Sequence, residues 1–437
     1  MKKNYVLNGL LGIFMFGLVN AAPVIAGELS LQECVDVAIG QNPILATAQG
    51  RTQTSQINVN IARSAFAPTV MIQASGNRNK TPMFLPSEFK ALSGKTTFSE
   101  TKNVYLTQAN ASLTIADGGL RKSKLQVAES GVDVSKEEEK GIKQQLVLKV
   151  HEAFYLLAAA IQNQEVANRN LRRSKSHLEM AESRHSVGDV ALVDVLRAKV
   201  QVADAKLLLV RVENSVALAK GTLNVAMGNK PDNPVEIIKV LEETPAHETL
   251  NYTALTASAT VIHPTIKAMQ ERIVLARKKV NQYRAANKPT LNAVGAYGKQ
   301  DLDFFPEKDN WAVGLEASWV AFDGGARREQ IKKAMAELSV NATELQTSIL
   351  NLQMEIWAAL QAVIEASCSN EAAKDLAREA EESLRIIQVR YKAGSGTITD
   401  LLDAQTAQSK ADFSVVETNI QKHIAYSRLL YTCGRLG

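Results

Sequence analysis

The chain is written twice. Ile115-Ala116-Asp117-Gly118-Gly119-Leu120-Arg121 returns as Ala321-Phe322-Asp323-Gly324-Gly325-Ala326-Arg327. Farther along, Arg184, Gly188, Asp194, Leu196 and Ala198 return as Arg390, Gly394, Asp400, Leu402 and Ala404, again about 206 residues on. Asn42-Pro43 and Ala67-Pro68 return as His263-Pro264 and Lys288-Pro289, at an offset of about 221. The first copy therefore holds about 15 extra residues before its Asp-Gly-Gly, within the polar stretch 77–101, which reads as a loop. The copies are expected over 27–228 and 251–437, joined by a Pro-containing linker over 229–250.

Each copy carries a stretch that no compact domain can hold. Leu120 to Val187 contains no Pro and only Gly131 and Gly141; Ala326 to Ala393 contains neither. As continuous helices, each would be roughly 100 Å long. The composition agrees: 46% hydrophobic, only 5% aromatic, with Ala, Leu, Gln, Lys and Glu prominent. After the first long helix, Val195, Val202, Leu209, Val216 and Leu223 recur every seven residues. Ala198, Ala205, Val212, Ala219 and Ala226 follow three behind, so a heptad seam runs back along it. Gly188, and Gly394 to Gly396, mark where each pair folds over. A rod or a tube is implied.

The stretches before the long helices alternate instead. Trp311, Val313, Leu315, Ala317, Trp319 and Ala321 fall on one face, opposite Ala312, Gly314, Glu316 and Ser318. Tyr105, Thr107, Ala109, Ala111, Leu113 and Ile115 do likewise in the first copy, and Leu291, Ala293, Gly295 and Tyr297 in the partner strand of the second. Two β-hairpins are expected, over 66–116 and 289–322, giving a mostly α chain of α+β class. Trp311, Trp319, Tyr297 and Tyr105 stand where the interfaces of a bilayer would lie. A soluble four-stranded sheet on helices is the blander alternative. In lipid the sheet must close, and four strands cannot, since membrane barrels need about eight or more. The barrel would be shared between chains. Three chains give about twelve strands, and two remain possible on strand count alone.

An exported chain fits this. Lys2 and Lys3 precede the apolar run Val6–Val19, and Val24-Ile25-Ala26 suits cleavage after Ala26, so residues 1–26 read as a signal peptide. Cys34, Cys368 and Cys433 are too few for a disulfide framework, although Cys34 with Cys433 remains a possible pair. Fifty basic and 45 acidic residues leave a net charge of +5, without the concentrated basic face that nucleic acid needs. The six His lack ligand spacing, and no phosphate loop or nucleophile elbow occurs, so no enzyme, cofactor or metal is expected.

The two tips carry a family likeness. Arg184-His185-Ser186-Val187-Gly188 with Val193-Asp194-Val195-Leu196, and Arg390-Tyr391-Lys392-Ala393-Gly394 with Thr399-Asp400-Leu401-Leu402-Asp403, resemble the hairpin-tip motif of TolC-like outer-membrane efflux and secretion proteins. Leu29-Ser30-Leu31-Gln32-Glu33, Ala65-Phe66-Ala67-Pro68 and the Asp-Gly-Gly pairs extend the resemblance over nearly the whole mature chain. It implies a homotrimer with a twelve-stranded outer-membrane β-barrel continuing into a long periplasmic α-helical barrel. It implies a duct for small molecules or unfolded proteins, in a tripartite efflux pump or type I secretion system. A periplasmic adaptor and an inner-membrane pump would be its partners, with lipid around the barrel. Arg184, Val187, Gly188, Arg390, Ala393 and Gly394 would form the adaptor-docking tips. Asp400 and Asp403 would ring the lumen at the periplasmic gate, and Asp194 with Tyr391 would latch it. Gly396 stands where the family has an Arg, so the latch should be looser or built differently.

Asp400 and Asp403 also lie one helical turn apart on one face, and three-fold symmetry would gather six carboxylates. Such a ring favours multivalent cations. The competing role for Asp400 is to cap a helix start. Among rival functions, a periplasmic adaptor or coiled-coil scaffold without a barrel would also carry a long helical hairpin.

Overall fold

The computed structural model describes residues 28–84, 97–238 and 250–437. The expected signal peptide, much of the linker and the tip of the first β-hairpin lie outside them. The chain runs α1 (Leu31–Gln41), α2 (Pro43–Ser64), β1 (Thr69–Phe84), β2 (Thr97–Ala116), α3 (Leu120–Ser186) and α4 (Leu192–Met227). Then come α5 (Tyr252–Ile262), α6 (Pro264–Ala285), β3 (Thr290–Asp301), β4 (Asp309–Ser318), α7 (Ala326–Lys392) and α8 (Ile398–Thr432). Helices α3 and α7 are each 67 residues long, about 100 Å.

Each opening helix is split in two by its proline. Asn42 Oδ1 accepts the N–H of Ile44 at 2.9 Å, and His263 Nδ1 accepts that of Thr265 at 3.3 Å, with Pro43 and Pro264 at the first helical position. The Asp-Gly-Gly turns launch the long helices. Gly118, Gly119, Gly324 and Gly325 hold φ of +61°, +88°, +67° and +90°. Asp117 accepts the N–H groups of Gly119 and Arg121 and the Arg121 Nε at 2.7 to 3.0 Å. Asp323 does the same for Gly325 and Arg327. The repeated Arg is thus part of the turn.

The sheet has the order β1-β2-β3-β4, all antiparallel. Its register assembles one apolar face: Ile72 beside Ala109 beside Tyr297 beside Trp311, then Val70, Ala111, Gly295 and Val313, then Leu113, Ala293 and Leu315. Val313, Leu315, Trp311 and Ile72 are exposed on the outside of the chain. The other face carries Gln73, Gln108, Asn110, Ser112, Asn292, Asn310 and Glu316. Trp319 lies eight residues after Trp311, about 27 Å along an extended chain and roughly 20 Å in height at the tilt of a barrel strand, within the apolar band of an outer-membrane barrel.

Two strand boundaries differ from the sequence reading. Residues 77–84 and 97–101 are strand, not loop, because β1 runs on to Phe84 and β2 begins at Thr97. Beyond Tyr105 the two strands pair only with each other, so no apolar face marks them. β4 ends at Ser318, since the backbone must leave the ladder to reach the Asp323 turn. Trp319 is held there by its Nε1–H, which donates to the Asn287 carbonyl at 3.1 Å.

Below the sheet the helices form a row. α3 packs on α2 and α6 in one half and on α4 and α8 in the other; α7 packs on α6 and α8. Every member of the predicted heptad seam on α4 is buried or half-buried. An apolar core joins α1, α3, α4 and α8 at mid-length, with Cys34, Leu146, Val150, Phe154, Leu157, Leu223 and Ile420. Cys34 and Cys433 are both free, in separate clusters, and burial pushes the Cys34 thiol up to about 12.

The same packing encloses histidines. His151 meets the Ser427 hydroxyl at 3.1 Å, and His423 stacks on Tyr155. Burial lowers His151 from 6.5 to about 4, and it lowers His177, His263 and His423 as well. A depressed His binds protons less readily folded than unfolded, so its contribution is complete above about 6.5 and is withdrawn as pH falls towards 4. The thermal unfolding midpoint should therefore fall between pH 7 and pH 5, and His151→Gln should flatten that slope. An unchanged slope in the variant would remove His151 as a cause.

Candidate functional site

The chemistry-bearing residues of the sequence reading converge at the two hairpin tips. α3 ends at Ser186, and Gly188 turns the chain at φ +81° into α4. α7 ends at Lys392, and Gly394 turns at φ +77° into α8. These glycines supply a left-handed turn that other residues adopt at a cost.

The tips touch through arginines of the first hairpin. Arg184 Nη1 donates to the carbonyl oxygen of Tyr391 at 2.6 Å, and its guanidinium carbon lies 4.8 Å from the Tyr391 ring centroid. Its Nε and Nη2 meet the Asp189 carboxylate at 2.7 and 2.6 Å. Arg197 donates to the Thr399 hydroxyl at 2.6 Å. Higher up, Arg173 pairs with Asp412 at 3.0 Å, and the buried Gln405 amide donates to Asn170 and Ser174 at 3.0 and 2.6 Å. The seam between α3 and α8 is thus polar near the tip, whereas it is apolar at mid-length.

Tyr391 is 1% exposed, packed with Leu384, Ile398, Leu401 and Ala404. Its hydroxyl is buried with no partner in hydrogen-bond geometry, and Asp194 makes no hydrogen bond to it. Burial pushes the phenol above its ordinary value; the Arg184 cation offsets this in part, and the Asp194 charge adds to it. Asp400 is committed locally. Its Oδ2 accepts from the Thr397 backbone N–H at 3.2 Å and the Thr397 hydroxyl at 2.7 Å, while Thr397 Oγ1 accepts the Asp400 N–H at 3.1 Å. This is a reciprocal cap, and the Thr397 hydroxyl holds the Asp400 carboxyl below its usual range. Asp403 is exposed one turn on. Gly396 leaves little space: a Cβ there would lie 3.1 Å from the Tyr391 backbone nitrogen.

Val187 is 78% exposed at the first tip, and Ala393 is exposed at the second. Arg390, the repeat-mate of Arg184, reaches only the Ser395 carbonyl of its own loop at 3.5 Å. At the far end of the molecule, Trp311, Trp319 and Tyr297 are exposed, whereas Tyr105 is half-buried. The Tyr105 ring covers Gly76 and meets Phe304 edge-on at 5.4 Å. Phe304 and Phe305, exposed in the β3–β4 turn, extend this aromatic group; the Phe-Phe-Pro run between two strands was the signal for them.

The profile of the family described as outer membrane efflux protein matches residues 34–229 and 255–435. The chain belongs to this family. Membership makes it an outer-membrane efflux channel and sets aside the barrel-free adaptor and scaffold readings. No helix among the described residues is long and apolar enough to cross a membrane. Two relatives are CyaE of Bordetella pertussis, 24% identical over 409 residues, 93% of this chain and 82% of that one, and outer membrane protein TolC of Salmonella enteritidis, 24% identical over 318 residues, 67% and 62%. The crystal structure of the Campylobacter jejuni CmeC outer membrane channel has the same fold, with a TM-score of 0.79 and 17% identity, covering 93% of this chain and 85% of that one.

Proposed function

We propose that three copies of this efflux protein join edge to edge into one duct, a twelve-stranded barrel in the outer membrane above a helical tube in the periplasm. The free edges of the single chain carry this reading. β1 and β4 are the outermost strands, and an unpaired strand edge has no place in lipid. α7 ends the helical row on one side, and α2 above with α4 below end it on the other. Those end helices hold the large exposed apolar side chains: Val200, Leu207, Val210 and Leu218 on α4, and Leu350, Met354, Trp357 and Leu376 on α7. Between them, α8 contributes none, α3 only Leu156 and α6 only Tyr283, at the margin of exposure. The two edges differ, so each chain would meet the next head to tail, and a ring satisfies every edge.

The duct would receive small molecules or unfolded proteins from an inner-membrane pump, through a periplasmic adaptor seated on the tips around Val187, Gly188, Ala393 and Gly394. Asp400 and Asp403 would ring the closed end, with Asp194 and Tyr391 beside it. The mass of the detergent-extracted particle, measured with its conductance in planar lipid bilayers, tests the ring. A conducting trimer is expected. A conducting particle of one or two chains, or a trimer that inserts no channel, overturns it.

A further inference from the structure

Arg184 and Arg390 hold the same place in the two copies, each four residues before the turning glycine. They do different things. Arg390 stays within its own loop, whereas Arg184 crosses to the other hairpin and seats on the last turn of α7. The carbonyl it meets, that of Tyr391, lies in the last turn of α7, where it also accepts the Gly394 N–H at 3.1 Å and where negative partial charge gathers. A cation with several N–H groups in a fixed fork suits that place. One arm of the fork is taken by Tyr391, and the other is held in register by Asp189. The guanidinium face also lies on the Tyr391 ring. Only 17% of the Arg184 side chain is exposed, so the pair is shielded from solvent on most sides.

No other tip contact replaces this one. The Tyr391 hydroxyl has no partner in full hydrogen-bond geometry, the group interacting with it being the Arg184 guanidinium itself, and Asp194 forms no hydrogen bond with it. The backbone around Gly396 leaves little space for a side chain there. Arg197 on Thr399 is a second link, but it is exposed and neutral on one side.

We propose that Arg184, oriented by Asp189, is the clasp that holds the second hairpin tip against the first, and that its release lets the periplasmic end of the duct widen. This rests on the duct reading above. Arg184 is a positioning residue here; Asp189 sets its angle and Tyr391 supplies the seat.

Resting conductance of the purified channel in planar bilayers tests this. Arg184→Ala should raise it severalfold with the trimer mass unchanged. Arg184→Lys should fall between, because an ammonium keeps the charge at the helix end and loses the fork. Asp189→Asn should raise it as well, by less than Arg184→Ala. Tyr391→Phe should raise it much less than Arg184→Ala, since the carbonyl and ring remain. Arg172→Ala removes an exposed charge from the same helix and should leave conductance at its starting value. Unchanged conductance in an intact Arg184→Ala trimer overturns the proposal. So does an equal rise in Tyr391→Phe, which would place the lock at the hydroxyl, or in Arg172→Ala, which would make it a matter of charge alone. If the unaltered chain forms no conducting trimer, the duct reading fails instead, before any variant is compared.

Discussion

Arginine at both Val313 and Leu315 should abolish assembly in the outer membrane. The register places both on the apolar face of the sheet, in line with Gly295 and Ala293 on the neighbouring strand, between the levels of Trp311 and Trp319. An Arg on the lipid side of a barrel costs about 2–4 kcal/mol near the bilayer midplane. Two per chain, six around a three-chain ring, cost about 12–24 kcal/mol, comparable to or above the roughly 5–15 kcal/mol that holds an ordinary domain together. The control lies on the adjacent residue, because successive side chains of a strand point to opposite faces. Glu316→Arg stands on the polar face with Asn292 and should assemble. Flotation of membranes, followed by detection of the detergent-resistant oligomer, separates the two. Normal assembly of the Val313→Arg, Leu315→Arg chain would mean that this face does not meet lipid.

The second large effect concerns cation block. Asp403→Ala should weaken block of bilayer conductance by a multivalent cation by roughly tenfold or more, since a ring of carboxylates is what gathers such ions. The structure gives this residue the cleaner experiment. Asp403 is exposed and free of the cap, whereas the Asp400 carboxylate is tied to Thr397. Asp400→Ala would confound the result, because loss of the cap costs about 1 kcal/mol at the start of α8. The double variant Asp400→Ala, Asp403→Ala should show the weakest block. Block unchanged in the double variant would dismiss the ring.

Much of the scaffold was legible because it depends on local rules. The 67-residue helices follow from stretches without Pro, and the α4 seam from a seven-residue repeat. The faces of β4 follow from alternation between Trp311 and Ala317. The outer halves of β1 and β2 were not legible for a matching reason. They form a two-stranded ribbon with no core to face, so their polar residues need not alternate with apolar ones. Asp400 was half legible. Thr397 and Asp400 have the spacing of a capping box, and that pattern stood in the sequence beside the ring pattern.

The link from Arg184 to Tyr391 left no local trace. It joins residues 207 apart, and only the packing of one hairpin on the other decides which of two equivalent arginines crosses. The buried hydroxyl of Tyr391 is likewise a product of that packing. Gly396, in place of the family Arg, suggests a latch looser or built differently, but nothing at that position points to the opposite hairpin, from which Arg184 crosses.

The difference between the two edges of the chain has a consequence for the cell's stock of subunits. In the proposed ring every copy both gives an edge and receives one. A copy whose α4 side is sound but whose α7 side is spoiled can still join one good neighbour, and the ring then never shuts. Such a copy does more harm than an absent one. It ties up sound subunits in open arcs with bare strand edges, so damage to one gene copy among several would act as a poison to assembly and not as a shortfall.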